Sequence, residues 1–278
     1  MNIGRVDQAK LPGKSPDRGL LGHYAVLGLA FALTLGCAAP AASEALDEQT
    51  CQSVRAAAFD KGAGLTPQAS VNTLPMTIVA VGSSSTEGMI RNAKNKIYPA
   101  AMQTALSKLW PLANVQVVNK GKGGETMRDM IARFETDVIA LKPTLVIWQL
   151  GVNDVLRYQG TEGRHEEIQA GLKALTDRNI PVILLDLQYA PLVLKDPDTL
   201  PMQAMIDDAA RKGPRGRVFH FKRFAVMKQL AETYHVPMAE MTETDGLHMT
   251  DSMHSCVGQL LAAMVVADRP VVLSGKPQ

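Results

Sequence analysis

The strongest constraint on this chain is an alternation. Short apolar runs at Met76–Val81, Val115–Val118, Thr144–Leu150 and Pro181–Leu187 are rich in Val, Ile and Leu and read as buried strands. Between them the apolar residues recur at helical spacing. Met102, Leu106 and Leu109 mark one helix, Met127, Ile131, Phe134, Val138 and Leu141 a second, and Ile168, Leu172 and Leu175 a third. Phe224, Met227, Leu230 and Tyr234 mark a further helix, followed by a short strand near Val236–Ala239, and Met253, Val257, Leu260 and Met264 mark the last. A helix between successive strands is long enough to carry the chain back to the start of the sheet, so such strands pair in parallel, with helices on both faces. The expectation is an α/β chain: one domain over residues 46–278, a doubly wound parallel sheet of about five strands flanked by helices. A short helical segment around Leu46–Phe59 and a Gly/Pro/Ser/Asn-rich loop at Lys61–Pro75 precede the first strand. Gln188–Lys222 is poorly periodic and reads as an insertion.

Residues 1–45 have a different character. Arg5, Lys10, Lys14 and Arg18 lead into an apolar run from Leu20 to Ala39, and small residues follow. This is the layout of a secretory signal peptide with Ser43-Glu44-Ala45 as the cleavage site. The same run is long enough to serve as an uncleaved membrane anchor. Thr34 stands where a lipoprotein signal carries Leu, which argues against lipid attachment at Cys37. Export would leave Cys51 and Cys256 in an oxidising compartment, periplasmic or extracellular, as a disulfide candidate; two buried free thiols are the alternative. Acids and bases are interspersed and the net charge of the 278 residues is +2, so no basic face points to a nucleic acid.

The strands end in unusual residues. The first runs into Gly82-Ser83-Ser84-Ser85-Thr86-Glu87-Gly88, the second into Asn119-Lys120-Gly121-Lys122-Gly123-Gly124, and the third into Gly151-Val152-Asn153-Asp154. A fourth block, Asp245-Gly246-Leu247-His248, lies near the end. In a doubly wound sheet the turns after the strands share the carboxyl edge, where ligands bind. A serine, glycine amides, an asparagine and an Asp/His pair can therefore meet. Serine is a poor nucleophile until a base takes its proton, and histidine suits that task near neutral pH.

Those four blocks, in this order, resemble the SGNH/GDSL hydrolase family, named for its Ser, Gly, Asn and His. The resemblance runs from about Thr77 to Met264. It implies a flavodoxin-like fold and a serine esterase that needs no metal or organic cofactor. Its triad would be Ser84, His248 and Asp245, and its oxyanion donors the Ser84 and Gly124 amides and the Asn153 side chain. Gly82 and Thr86 set the register that places the nucleophile on Ser84, with Ser85 the alternative. Ser83 occupies the usual Asp position of the family's Gly-Asp-Ser pattern. The family acts on lipid esters, thioesters and carbohydrate O-acetyl groups, and export favours short-chain or carbohydrate esters, close to the membrane or cell envelope. An acyltransferase passing the acyl group to a sugar hydroxyl, and a catalytically silent glycan- or lipid-binding module, are the competing readings.

Other readings of these turns fit less well. Gly82 to Gly88 is too long for a phosphate-binding P-loop and no Lys follows it, and Gly121-x-Gly123-Gly124 lacks dinucleotide-binding spacing. Gly82-x-Ser84-x-Thr86 lacks the second glycine of an α/β-hydrolase elbow. His165, His220 and His235 have no ligand at metal-site spacing, and His254 is expected at the surface or capping a helix. The basic run from Arg211 to Arg223 reads as solvated loop, or as a border of the substrate cleft that favours anionic partners. Met127, Met130, Met227, Met253 and Met264 read as core.

Overall fold

A computed structural model describes residues 46–60, 76–89, 92–111, 113–157 and 160–266. Residues 1–45, read from sequence as a signal peptide or anchor, and Lys61–Pro75, read as a loop, lie outside the described residues. Five parallel strands, β1 (Met76–Gly82), β2 (Val115–Gly121), β3 (Leu145–Gln149), β4 (Val182–Leu185) and β5 (Val218–Phe221), form one sheet in the order β2-β1-β3-β4-β5. This is the doubly wound order whose switch point lies between β1 and β3.

Strand side chains alternate between two cores, as the pleat requires. Ile78, Ala80, Leu145, Ile147, Ile183, Leu185, Phe219 and Phe221 face the helices Tyr98–Leu109, Arg223–Glu232 and Asp251–Val266. Val79, Val81, Val146, Trp148, Val182, Leu184 and Val218 face Met127–Ala132, Arg164–Thr176 and Thr199–Lys212. All five methionines read as core are buried. A Cys51–Cys256 disulfide, with Cα atoms 5.6 Å apart, ties the first helix (Glu48–Ser53) to the last. Among the described residues no helix is long and apolar enough to cross a membrane.

The structure departs from the sequence expectations at several points. No strand forms at Val236–Ala239: Pro237 has no N–H for a ladder and instead precedes a short helix, Met238–Met241, while Val236 is apolar because its loop is buried. The fifth strand is Val218–Phe221, inside the segment read as an insertion, which also holds the Thr199–Lys212 helix. Four strand residues flanked by arginines and lysines are too few to show a period. The stripe from Met127 to Leu141 is not one α-helix either. It breaks at Arg133 into a π turn, Phe134–Val138, and a 3₁₀ turn, Ile139–Leu141; the changed pitch keeps Phe134 and Val138 buried but leaves Leu141 exposed.

The basic run is divided by β5. Arg215 and Arg217 precede the strand, at the amino edge of the sheet, where Arg217 donates to the Asn179 carbonyl. They are on the opposite edge from the strand ends and cannot border a cleft there. Arg223, just past β5, is fully buried, and its guanidinium donates to the Asp186 carbonyl. Burial pushes its pKa down to about 10.

Candidate active site

β1 and β2 finish level, Gly82 opposite Gly121, so the serine turn and the glycine turn emerge side by side. Past Gly82 the chain enters a one-turn helix, Ser84–Glu87. The Ser83 carbonyl accepts from the Thr86 and Glu87 amides, both at 2.9 Å. In a trans peptide the N–H points away from the C=O. The Ser84 amide is thereby aimed opposite to that carbonyl, and it has no acceptor among the described residues. Ser84 is partly exposed, whereas Ser85 is buried.

The glycine turn is braced against this helix. Glu87 Oε2 accepts from the Gly123 amide at 2.7 Å, and Asn119 Nδ2 donates to the Thr86 carbonyl at 2.7 Å. Gly124 has φ +79°, a left-handed conformation that glycine adopts without strain. A Cβ there would stand 2.9 Å from Arg157 Nη2, so the guanidinium lies directly over this residue.

After β3, Asn153 and Asp154 open the helix Val152–Arg157 and reach back to the same turn. Asn153 Nδ2 donates to the Glu125 carbonyl at 2.8 Å, which leaves its second N–H to serve a ligand. The Asp154 carboxylate accepts from the Met127 amide at 3.1 and 3.3 Å. Asp154 is fully buried, and loss of solvent pushes its pKa up to about 6. Arg133 completes the frame, binding Glu125 Oε2 at 2.7 Å and the Lys120 carbonyl at 2.8 Å.

The Asp/His pair sits on a tight loop closed by an antiparallel bridge between Thr242 and Met249 and by the bond from the Glu243 amide to the His248 carbonyl, 2.7 Å. The segment after β4 holds that loop from outside: the Leu192 amide donates to the Gly246 carbonyl and Gln188 Nε2 to the Leu247 carbonyl. Asp245 Oδ1 accepts from the Leu247 and His248 amides, both at 2.9 Å, and Oδ2 lies 2.8 Å from His248 Nδ1. His248 Nε2 lies 2.8 Å from Ser84 Oγ. One unbroken chain of contacts therefore runs Asp245–His248–Ser84, across 164 residues of sequence between the last two. The fold thus gathers Ser84, Gly124, Asn153, Asp245 and His248 at one edge, while Cys51 and Cys256 pair with each other.

Other polar residues near this edge have partners that sequence spacing does not show. Asp154 was legible as part of Gly-Val-Asn-Asp, but its anchoring of the Gly124 turn depends on a through-space bond. Gln149 is buried at the end of β3 and accepts from Ser83. His254, expected at the surface or as a cap, does cap, but from inside: it is buried, and its Nδ1 accepts from the Tyr98 amide at 3.3 Å. Burial pulls its pKa down to about 3. His220 meets Asp186 at 3.1 Å and Asp207 at 3.4 Å, contacts no sequence spacing would show. Among the described residues no group of three or more His, Cys, Asp or Glu side chains is arranged to hold a metal ion.

The chain is similar to known esterases. An acetylxylan esterase of Geobacillus stearothermophilus is 31% identical over 141 residues, 49% of this chain and 58% of the enzyme's own length. A two-domain esterase active on acetylated mannans superposes with a TM-score of 0.57 at 21% identity, covering 69% of this chain and 49% of that one. An acetyl xylan esterase superposes with a TM-score of 0.56 at 21% identity, over 68% of this chain and 100% of its own. At such identity these two likenesses establish the fold. The profile of the non-GDSL lipase-like family matches residues 52–269, and with most of its length covered the chain belongs to that family, an SGNH/GDSL-like esterase family.

Proposed function

We propose that this protein is an exported esterase that removes short acyl groups, acetyl foremost, from carbohydrate esters. The observation that carries the reading is the continuous contact from Asp245 through His248 to Ser84, with 2.8 Å at each link. Ser84 Oγ attacks the ester carbonyl as His248 Nε2 takes its proton, and the carbonyl electron pair moves onto oxygen. Asp245 keeps the other imidazole proton on Nδ1 and stabilises the imidazolium that forms. The Ser84 and Gly124 amides and the second N–H of Asn153 Nδ2 receive the oxyanion. Collapse of the intermediate breaks the bond to the sugar oxygen, which leaves with the proton from His248. Water then repeats the sequence and releases the acid.

The preference for acetylated carbohydrate rests on two supports. One is the similarity to the Geobacillus acetylxylan esterase. The other is the exposure of the edge: the Asp245 side chain is 33% exposed and that of His248 15%, so the pair is reachable from solvent. Export is supported by the Cys51–Cys256 disulfide, since such bonds persist in oxidising compartments. A panel of acetylated xylo-oligosaccharides, acetylated manno-oligosaccharides and 4-nitrophenyl esters of increasing chain length tests the assignment. Fastest turnover is expected on the acetyl esters. Turnover that rises steadily with acyl length, or acyl transfer to an added sugar in place of release to water, would refute it.

A further inference from the structure

The nucleophile turn carries a serine where the related pattern has an aspartate, and its surroundings indicate what replaces that carboxylate. Ser83 is buried, and both its donors end on one atom: its amide lies 2.8 Å and its hydroxyl 3.0 Å from Gln149 Oε1. Thr86 Oγ1 adds a third donor at 3.3 Å, and Tyr98 OH stands 3.0 Å behind Thr86. Since a main-chain N–H can only donate, the oxygen of the Gln149 amide must face Ser83. The Gln149 Nε2 is then buried with no partner among the described residues, so satisfying the turn takes precedence over satisfying the glutamine. Gly82 fits the same arrangement: a Cβ there would come within 2.7 Å of Gln149 Oε1.

We infer that Gln149 is the positioning residue of the nucleophile turn, and that Ser83 and Gln149 are a matched donor–acceptor pair that sets the direction of the Ser83–Ser84 peptide. Fixing the Ser83 amide and side chain on one side, with its carbonyl held by Thr86 and Glu87 on the other, leaves the Ser84 amide one direction to point. The pairing also means that aspartate cannot simply be put back. A carboxylate at position 83 would set acceptor against acceptor at Oε1, and turning the glutamine to relieve this would set its NH₂ against the residue-83 amide.

This inference rests on the esterase reading, and the experiment separates the two. Wild type, Gln149→Met, Gln149→Glu, Ser83→Ala and Ser83→Asp are titrated with a fluorophosphonate, and 4-nitrophenyl acetate turnover is expressed per reactive serine. Misaimed catalytic groups cost rate rather than affinity, so Gln149→Met is expected to lower kcat per site by about 10- to 100-fold with KM within about threefold. Gln149→Glu, which keeps an acceptor in either protonation state, should recover to within about fivefold of wild type. Ser83→Ala should fall between these, and Ser83→Asp should be slower than wild type. A purely structural glutamine would lower the melting temperature or the titratable fraction but leave kcat per site unchanged, and that result overturns the inference. Equal losses in Gln149→Met and Gln149→Glu overturn it as well. If Gln149→Met does not fold, Ser83→Ala and Ser83→Asp decide: wild-type kcat per site in both refutes the pairing. A wild-type protein that does not react with the fluorophosphonate refutes the esterase reading itself.

Discussion

Asp245→Asn isolates the step on which the proposed chemistry depends, the choice of histidine tautomer. Asp245 Oδ1 accepts two main-chain amides at 2.9 Å, and the other oxygen faces His248 Nδ1 at 2.8 Å. In the asparagine variant the two amides retain the side-chain oxygen, and the NH₂ is turned toward Nδ1. Reversing it would forfeit two hydrogen bonds, a cost of about 1–3 kcal/mol. Nδ1 must therefore become the acceptor, its proton moves to Nε2, and a donor then confronts the Ser84 hydroxyl that has to be deprotonated. At about 1.4 kcal/mol per tenfold, the wanted tautomer becomes scarcer by roughly 5- to 150-fold. Loss of the carboxylate that stabilises the imidazolium adds to this, for a total fall in kcat of about 10³- to 10⁴-fold. Asp245→Ala leaves Nδ1 free to keep its proton and is expected to retain more activity than Asp245→Asn. The measurement is 4-nitrophenyl acetate turnover, with urea unfolding as control: the asparagine variant should stay within about 0.5 kcal/mol of wild type, because the loop amides remain satisfied. Turnover within tenfold of wild type in Asp245→Asn would refute the tautomer argument.

Asn153→Ala removes one oxyanion donor and should lower kcat by about 100- to 1000-fold with little change in KM, measured on the same substrate; an unchanged kcat would remove Asn153 from the chemistry. The buried Asp154 carboxyl is raised from 3.8 to about 6, so the folded chain holds that proton to higher pH than the unfolded chain does. Its contribution to stability is full below about pH 4 and is lost as pH rises through about 6. Asp154→Asn, which keeps an acceptor for the Met127 amide, should match wild type at low pH and exceed it by on the order of 2–3 kcal/mol above pH 7, and urea unfolding across pH would reveal a flat difference if this is wrong. Replacing Cys51 and Cys256 by serine opens a bridge spanning 205 residues and should cost about 2–5 kcal/mol, seen as a lowered melting temperature that no longer responds to reductant.

What was legible in the sequence follows from where the physics is local. Strands with both faces buried need continuous apolar runs, so β1, β3 and β4 stood out, and turns that carry chemistry need Ser, Gly, Asn and Asp/His at strand ends. β5 has no legible signal because an edge strand of four residues between basic flanks has no room for a period. Val236 misled for the opposite reason: it is apolar because it is buried, while its neighbour Pro237 rules out a ladder. Topology brings the catalytic candidates to one sheet edge and the family resemblance groups them as a triad, but the contact between Ser84 and His248 is made by the fold alone. Gln149 was hidden most completely. Inside an apolar strand it reads as an interruption, and only the approach of Ser83, 66 residues away in sequence, gives it a function.

In the proposed chemistry Ser84, not its neighbours, attacks the ester carbonyl. The most direct test is to treat the protein with a fluorophosphonate and locate the adduct by peptide mass spectrometry. A single adduct on Ser84 that disappears in Ser84→Ala and persists in Ser85→Ala is expected; an adduct on Ser85, or none at all, would rule Ser84 out as the nucleophile.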